Sequence, residues 1–406
     1  MSVPGPATAP YAPSPRLGRA FAASVAALTA TFLTTASPIP LYNTYRAEQG
    51  LSNADITLTV VTYFGGSILT LLLLTRFSNH LGRKPVAIAT MAVLAAGLVV
   101  LLDVRALGVL LLGRFLMGVG AGLASSCLTA YIVDSAPTTP AWVAAVASSQ
   151  ASNVGLAMGA IASGGLVEYG PRPRQLVYLI VIGLLIACAV WIAAAPETIE
   201  RTPGLWQSMR PRIRFPARSR RLIPVGAVVF VGTWSTGAFF QTFAPALVVD
   251  QLGTRSSLVV GLVFAAFILP SVIGAPVGGR FSPAAGQRLG MVTFLTGVLT
   301  IVASVNLGSL ALFLVASAVA GAGQGIAISS TIRGFLHGSV ITDRAGVFGG
   351  LYLIGYVGAA LTSLVSGQMS RFFTSSQVTL GYAALGLLAT AITLVRAVNP
   401  KPISPA

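Results

Sequence analysis

Twelve blocks of apolar sequence, each about 18 to 25 residues long and separated by polar breaks, constrain this chain more than any other feature. A run of that length coiled as an α-helix crosses the hydrocarbon core of a bilayer, where a backbone has to satisfy its own hydrogen bonds. The blocks fall at 20–40, 56–75, 86–102, 107–132, 141–167 and 176–195, then at 222–249, 257–279, 289–305, 310–336, 345–369 and 378–396. Charged residues make up 8% of the 406 positions, against about 25% in soluble domains, too few to coat a water-exposed surface of that size. The expected fold is all-α and membrane-embedded, with twelve transmembrane helices.

The net charge of +16 would suit a nucleic-acid partner if the basic residues shared one face. They sit instead between apolar blocks, the pattern that sets orientation in a bilayer. With the N-terminus inside, 17 Arg and Lys fall in cytoplasmic segments and 6 outside. This bias predicts cytoplasmic N- and C-termini in a multi-pass protein of the cell's inner (cytoplasmic) membrane, with lipid as the surrounding partner and no nucleic acid. Cys127 and Cys188 lie inside apolar blocks, so neither a disulfide framework nor a metal centre is expected, and no cofactor motif is present. The Pro/Ala-rich residues 1–19 read as a disordered cytoplasmic tail and 399–406 as a second tail.

One long polar stretch, the Arg- and Pro-rich segment 201–221, divides the blocks six and six. It predicts an N-terminal six-helix bundle over 20–200 and a C-terminal one over 222–398. The halves share sequence. Thr75–Lys84 reads TRFSNHLGRK and Gly279–Arg288 reads GRFSPAAGQR, each after the second block of its half. GVGAGLASS from Gly118 parallels GAGQGIAIS from Gly321, each in the fourth block. Repeats of this kind place a solute site between halves related by an axis along the membrane normal.

These segments resemble the major facilitator superfamily over nearly the whole chain, and in particular its twelve-span drug:proton antiporters. The loop after the second block matches the family's G-x-x-x-D-R-x-G-R-K pattern at Gly82, Arg83 and Lys84, with Asn79 in place of the acid and His80 in place of the first Arg. The resemblance implies a cytoplasmic latch in which Arg83 pairs with Asp134 and Asn79 faces the other half without charge. GRFLMGVGAG from Gly113 resembles the family's R-x-x-x-G-x-G, which implies a coupling role for Arg114. Arg114 could also snorkel to the interface. Gly155, Gly159 and Gly164 resemble the antiporter pattern of the fifth span, with Ala160 where the family has Pro; close helix packing explains the same spacing. Pro196-Glu197-Thr198 after the sixth block also looks like a family signature.

A cavity between the halves is expected to be lined by Phe32, Ser126, Gln150, Asn153, Trp234, Phe240, Gln241, Gln324 and Tyr356. Aromatic groups with few hydrogen-bonding partners suit a lipophilic or amphiphilic solute. All nine acids lie in loops or at block ends. Asp55 is the best-placed proton carrier, coupled to Arg114, although its position equally suits a helix start. Ser37-Pro38-Ile39-Pro40 either breaks the first span and frees carbonyls to a cavity or marks a loop. The expected activity is proton-coupled efflux of small molecules by alternating access, carried out by a monomer and not by an enzyme. A sugar or metabolite transporter of the same superfamily is the alternative, and a membrane-embedded lipid-modifying enzyme a more distant one.

Overall fold

In the computed structural model the chain is described over residues 15–137, 140, 142–200, 202–203, 217–337 and 341–400. Among the described residues the apolar blocks form twelve long helices: α1 (Pro15–Ala36), α2 (Asn53–Leu73), α3 (Arg83–Leu101), α4 (Leu107–Ser135), α5 (Trp142–Tyr169), α6 (Pro173–Ala194), α7 (Ile223–Thr242), α8 (Ser257–Gly278), α9 (Pro283–Asn306), α10 (Leu310–Leu336), α11 (Ile341–Met369) and α12 (Ser375–Arg396). Eleven of them are long and apolar enough to cross a membrane. The remaining one, α5, carries the polar run Ser148, Ser149, Gln150, Ser152 and Asn153 in its first half. No strand occurs among the described residues.

Helix starts follow side-chain chemistry. Ser52 and Asp55 form a capping box on α2, and Thr374 and Gln377 form another on α12. Ser256, Ser282 and Ser309 accept the N3 amides of α8, α9 and α10. Pro15 opens α1, five residues before the apolar block begins, a position where its missing N–H costs nothing. Residues 15–19 of the expected tail are therefore helical, while 1–14, most of the 201–221 linker and 401–406 lie outside the described residues.

The duplication is visible in the packing. Within the first half α2 and α3 pack on α4, α1 packs on α5 and α6, and α3 packs on α6; α8 with α9 on α10, α7 on α11 and α12, and α9 on α12 repeat that plan. The shared glycines explain the close approach. Gly118 and Gly122 of α4 lie against the α2 backbone at Tyr63 and side chain of Thr70, and Gly321 and Gly325 of α10 against the α8 backbone at Phe267 and Ser271. Between halves, α5 packs on α8 and α2 on α11. α1 and α4, which pack on each other, do not pack along α7 and α10, and the two pairs face each other across the seam.

The turns carrying Arg76–Arg83 and Gly279–Ser282 share one face with the start of α1 and the end of α12, here the basic-loop face. The turns at 50–52, 102–106, 170–172, 251–256, 307–309 and 370–374 form the far face.

Candidate functional site

The first span ends where its prolines require. α1 stops at Ala36, a single 3-10 turn covers Ile39–Leu41, and a short helix runs over Tyr42–Gln49. Pro38 and Pro40 cannot continue the helix, so the Thr35 and Ser37 carbonyls lose the Ile39 and Leu41 amides that would have met them, and the Leu41 amide bonds the Pro38 carbonyl instead. Both carbonyls are taken up from other helices. Arg114 of α4 donates from Nη1 to the Thr35 carbonyl at 2.6 Å, and Ser163 of α5 donates to the Ser37 carbonyl at 2.5 Å.

Arg114 is fully buried. Its Nη2 donates to Gln241 Oε1 of α7 at 3.2 Å, its guanidinium lies 4.8 Å from the Tyr63 ring centre, and Met117 Sδ is 3.8 Å from Nη1. Its Nε has no partner. None of the ion pairs among the described residues includes Arg114. The guanidinium is held by a carbonyl, an amide and an aromatic face, and the amide belongs to the other half. Arg114 is anchored at the seam and does not snorkel. Asp55 stands elsewhere: its carboxylate accepts the Ser52 amide at 2.9 Å and hydroxyl at 2.6 Å, closing the capping box of α2.

Other contacts join the halves on the far-face side. Asn43 donates to the Pro245 carbonyl at 2.8 Å, and Arg46 pairs with Asp250 at 3.6 Å. Glu168, at the end of α5, accepts the Ser256 hydroxyl and the Leu258 amide, the latter at 2.9 Å, and so caps α8 from across the seam. The Ser256 hydroxyl first, and the Leu258 amide next, hold the Glu168 carboxyl below its usual range. Gly164 lies against the Ser257 and Leu258 backbone of α8, and Gly261 against Ala160 of α5. A proline at Ala160 would deprive the helix of an amide there. Gly155 and Gly159 pack on the α1 backbone at Thr29 and Leu33, within the first half.

Deeper in the seam an aromatic series runs from one half into the other. Tyr63 and Phe64 of α2 lie 5.4 Å apart, Phe64 is 5.5 Å from Tyr356 of α11, and Tyr356 meets Trp234 of α7 edge-on at 4.7 Å. Trp234 continues to Tyr352 at 5.5 Å. Trp234, Tyr352, Gln150, Asn153, Ser126 and Gln324 are half-buried, while Tyr356 and Phe32 are buried at the margin. Asn153 donates to Gln150 Oε1 at 3.3 Å, so these two amides form one polar group on α5. Gln324 Oε1 has no partner. Phe240 belongs elsewhere: it stacks on Phe267 at 4.4 Å inside the second half. The reason is angular, since six residues beyond Trp234 a helix has turned onto a different face.

At the basic-loop face Arg83 donates from Nε to Asp134 at 2.9 Å and from Nη1 to Ser78 at 2.6 Å and Asn79 at 2.8 Å. All of these partners are in the first half. Asn79 thus orients Arg83, and its carbonyl accepts the Thr202 amide at 3.3 Å. Glu197 supplies the negative charge that Asn79 lacks: its carboxylate accepts the Arg83 amide at 2.9 Å and the Lys84 amide at 3.0 Å, capping α3. Gly82 makes this possible, with φ of 100° and no Cβ, where a Cβ would stand 2.6 Å from Glu197 Oε2. Lys84 donates to the Ala193 carbonyl at 2.6 Å. In the second half Arg333 bonds the Gly278 carbonyl and, at 3.2 Å, that of Phe281.

Sequence reasoning did not anticipate Tyr63, Tyr352, Glu168 or the Thr35 carbonyl as site groups. Glu197 had a signal in its Pro-Glu-Thr context. For Glu168 the only clue was an acid at the end of an apolar block.

Two duplicated six-helix bundles facing across a polar and aromatic seam define a membrane transporter of small solutes, not an enzyme. The sequence profile described as Major Facilitator Superfamily matches residues 20–255, and the chain belongs to that superfamily. Among solved structures, it is similar to one titled "Crystal structure of a POT family transporter in complex with 5-aminolevulinic acid", with a TM-score of 0.73 and 11% identity, covering 94% of this chain and 96% of that one. At that identity the likeness concerns the fold. No curated protein sequence matches this one.

Proposed function

We propose that this transporter exports lipophilic or amphiphilic small molecules in exchange for protons, as a monomer. Its basic-loop face and both termini would lie in the cytoplasm of the cell that carries it in its inner membrane. The observation that carries the substrate class is the aromatic series from Phe64 through Tyr356 and Trp234 to Tyr352, which crosses the seam with few hydrogen-bonding groups beside it. The cross-half hydrogen bonds and the Arg46–Asp250 ion pair gather on the far-face side, which supports a state closed to the outside with a cleft facing the cytoplasm. Alternating access would then break the Arg114–Gln241 and Glu168–Ser256 contacts and close the basic-loop ends over Arg83 and Asp134.

Coupling would run through Arg114 and Asp55. Protonating Asp55 weakens its hold on the Ser52 amide and hydroxyl in the capping box of α2, and α2 packs against α11 across the seam, with Thr57 against Gly367. Proton binding would thereby act on a helix that both halves hold. The Gln150–Asn153 amide pair and the unpartnered Gln324 favour a second reading, a hydroxyl-rich solute such as a sugar.

The test is uptake into inside-out vesicles under an imposed pH gradient. Export predicts gradient-driven accumulation of lipophilic cations or neutral amphiphiles, lost in Trp234→Ala and uncoupled from the gradient in Asp55→Asn. If the gradient drives no such uptake while sugar is carried, the second reading replaces the first.

A further inference from the structure

We propose that the basic-loop face of the first half holds the phosphate of an anionic phospholipid, bound by Arg16, Arg19 and Lys84. A cavity of about 250 Å³ lies there between the start of α1, the start of α3 and the Ala193–Pro196 end of α6. Among the described residues three cations line it and no carboxylate does. Arg16 and Arg19 are one turn apart on α1, so they share a face, and both are exposed. Neither side chain has a hydrogen bond or ion pair among the described residues. Lys84 is fixed at the cavity wall by its bond to the Ala193 carbonyl.

The nearest acid along the wall is Glu197, one residue past Pro196. Its carboxylate is already spent on the amides of Arg83, Lys84 and Thr198. With three cations on the wall and one carboxylate beside it, turned to backbone amides, the cavity keeps a net positive charge and has room for a phosphodiester group. Two free guanidinium forks suit its oxygens.

A lipid, and not a free phosphate, is favoured by what borders the cavity. Within the two turns before Ala193 and Ala194, α6 exposes Ile186, Val190 and Trp191 at 56%, 65% and 45%. That strip leads from the cavity along α6 into the apolar span. Acyl chains would lie on Ile186 and Val190, Trp191 would sit at headgroup depth, and the phosphate would reach the arginines. The site is distinct from the seam and does not depend on which solute crosses it.

Binding is measured on the purified full-length protein by native mass spectrometry, titrating dioleoylphosphatidylglycerol against dioleoylphosphatidylcholine. The expected result is retention of phosphatidylglycerol with at least roughly tenfold higher affinity than phosphatidylcholine, and loss of that preference in R16Q/R19Q. R16K/R19K should keep most of it, and R371Q on the far face should keep all of it. Millimolar inorganic phosphate should not displace the lipid. Equal binding of the two lipids, an undiminished preference in R16Q/R19Q, or an equal fall in R371Q would overturn the proposal. So would displacement by inorganic phosphate, which would make this a free-anion site. The thermal midpoint of R16Q/R19Q in phosphatidylcholine micelles should match the parent, because no described protein group bonds either arginine.

Discussion

Replacing Gln241 with leucine removes one interaction across the seam and leaves the packing volume nearly intact. Gln241 Oε1 accepts from the Arg114 guanidinium at 3.2 Å, and the two residues belong to different halves. Their bond exists while the far face is closed and must break when it opens. A hydrogen bond to a charged group contributes about 1.5–3 kcal/mol. Each ~1.4 kcal/mol is tenfold in an equilibrium, so Gln241→Leu should raise the ratio of far-open to far-closed protein roughly 10- to 150-fold. Water reaching Arg114 would bring the effect toward the lower figure.

The readout is a distance across the far face. Tyr169 and Phe372 are 75% and 84% exposed, on opposite halves, and the native Cys127 and Cys188 are buried. Spin labels at Tyr169→Cys and Phe372→Cys should report a new, longer population in Gln241→Leu. Gln241→Glu supplies a carboxylate for the same guanidinium and should shift the distribution the other way, since breaking a buried pair then strands two charges. Unchanged distributions in both variants would refute the reasoning, because the bond would then carry no weight in choosing between states.

Glu168 predicts a pH dependence of far-face closure. Its carboxyl is held low in the closed state, so the stabilisation is present at and above the ordinary carboxylate range and fades as pH falls through the lowered value; the same label pair should show opening only in strong acid, and Glu168→Gln should show no such step. Glu197→Ala strips the α3 amides of their acceptor and should cost about 1 kcal/mol of stability, read as a lower thermal midpoint in detergent. Gly159→Leu drives a side chain into the α1 backbone at Leu33 and should abolish folded protein on size exclusion, whereas Gly183→Leu, in open space on α6, should be tolerated.

The bilayer makes the fold legible, because only a helix can hide its backbone in lipid, and each hidden helix needs an apolar run of fixed length. The repeat was legible too, since Gly118 and Gly321 meet the same steric demand in each half. The site was harder. A helix apolar on every side gives no sign of which face meets a partner. Trp234 and Phe240 look alike in the sequence, yet one faces the seam and the other stacks on Phe267. Gln241, seven residues after Trp234, returns to nearly the same face and does reach the seam. Glu168 and Glu197 each cap a helix distant in sequence, and such pairings depend on tertiary placement that no local pattern encodes.

The halves agree in packing and disagree in charge, and the prolines of the first span explain why. In the second half the position aligned with Arg114 is Ser317, which satisfies itself on the Phe313 carbonyl at 2.7 Å. There a single proline, Pro245, sits in the first turn of the helix Ala244–Asp250, and Phe243 bonded to Phe239 and Leu247 to Phe243 carry the bonding across the joint. In the first half the break at Pro38 and Pro40 frees the Thr35 carbonyl, and Arg114 takes it. Break and cation should therefore be energetically linked. Pro38→Ala with Pro40→Ala ought to stabilise a helix, each proline being worth about 3 kcal/mol against alanine in a helix interior. Here it would return the Thr35 carbonyl to its helix and leave a buried guanidinium short of an acceptor, at about 1–3 kcal/mol or more. The double substitution should gain markedly less stability in the parent than in an Arg114→Met background, in thermal unfolding of detergent-purified protein. Equal gains in the two backgrounds would separate the break from the cation and leave Arg114 held by Gln241 and Tyr63 alone.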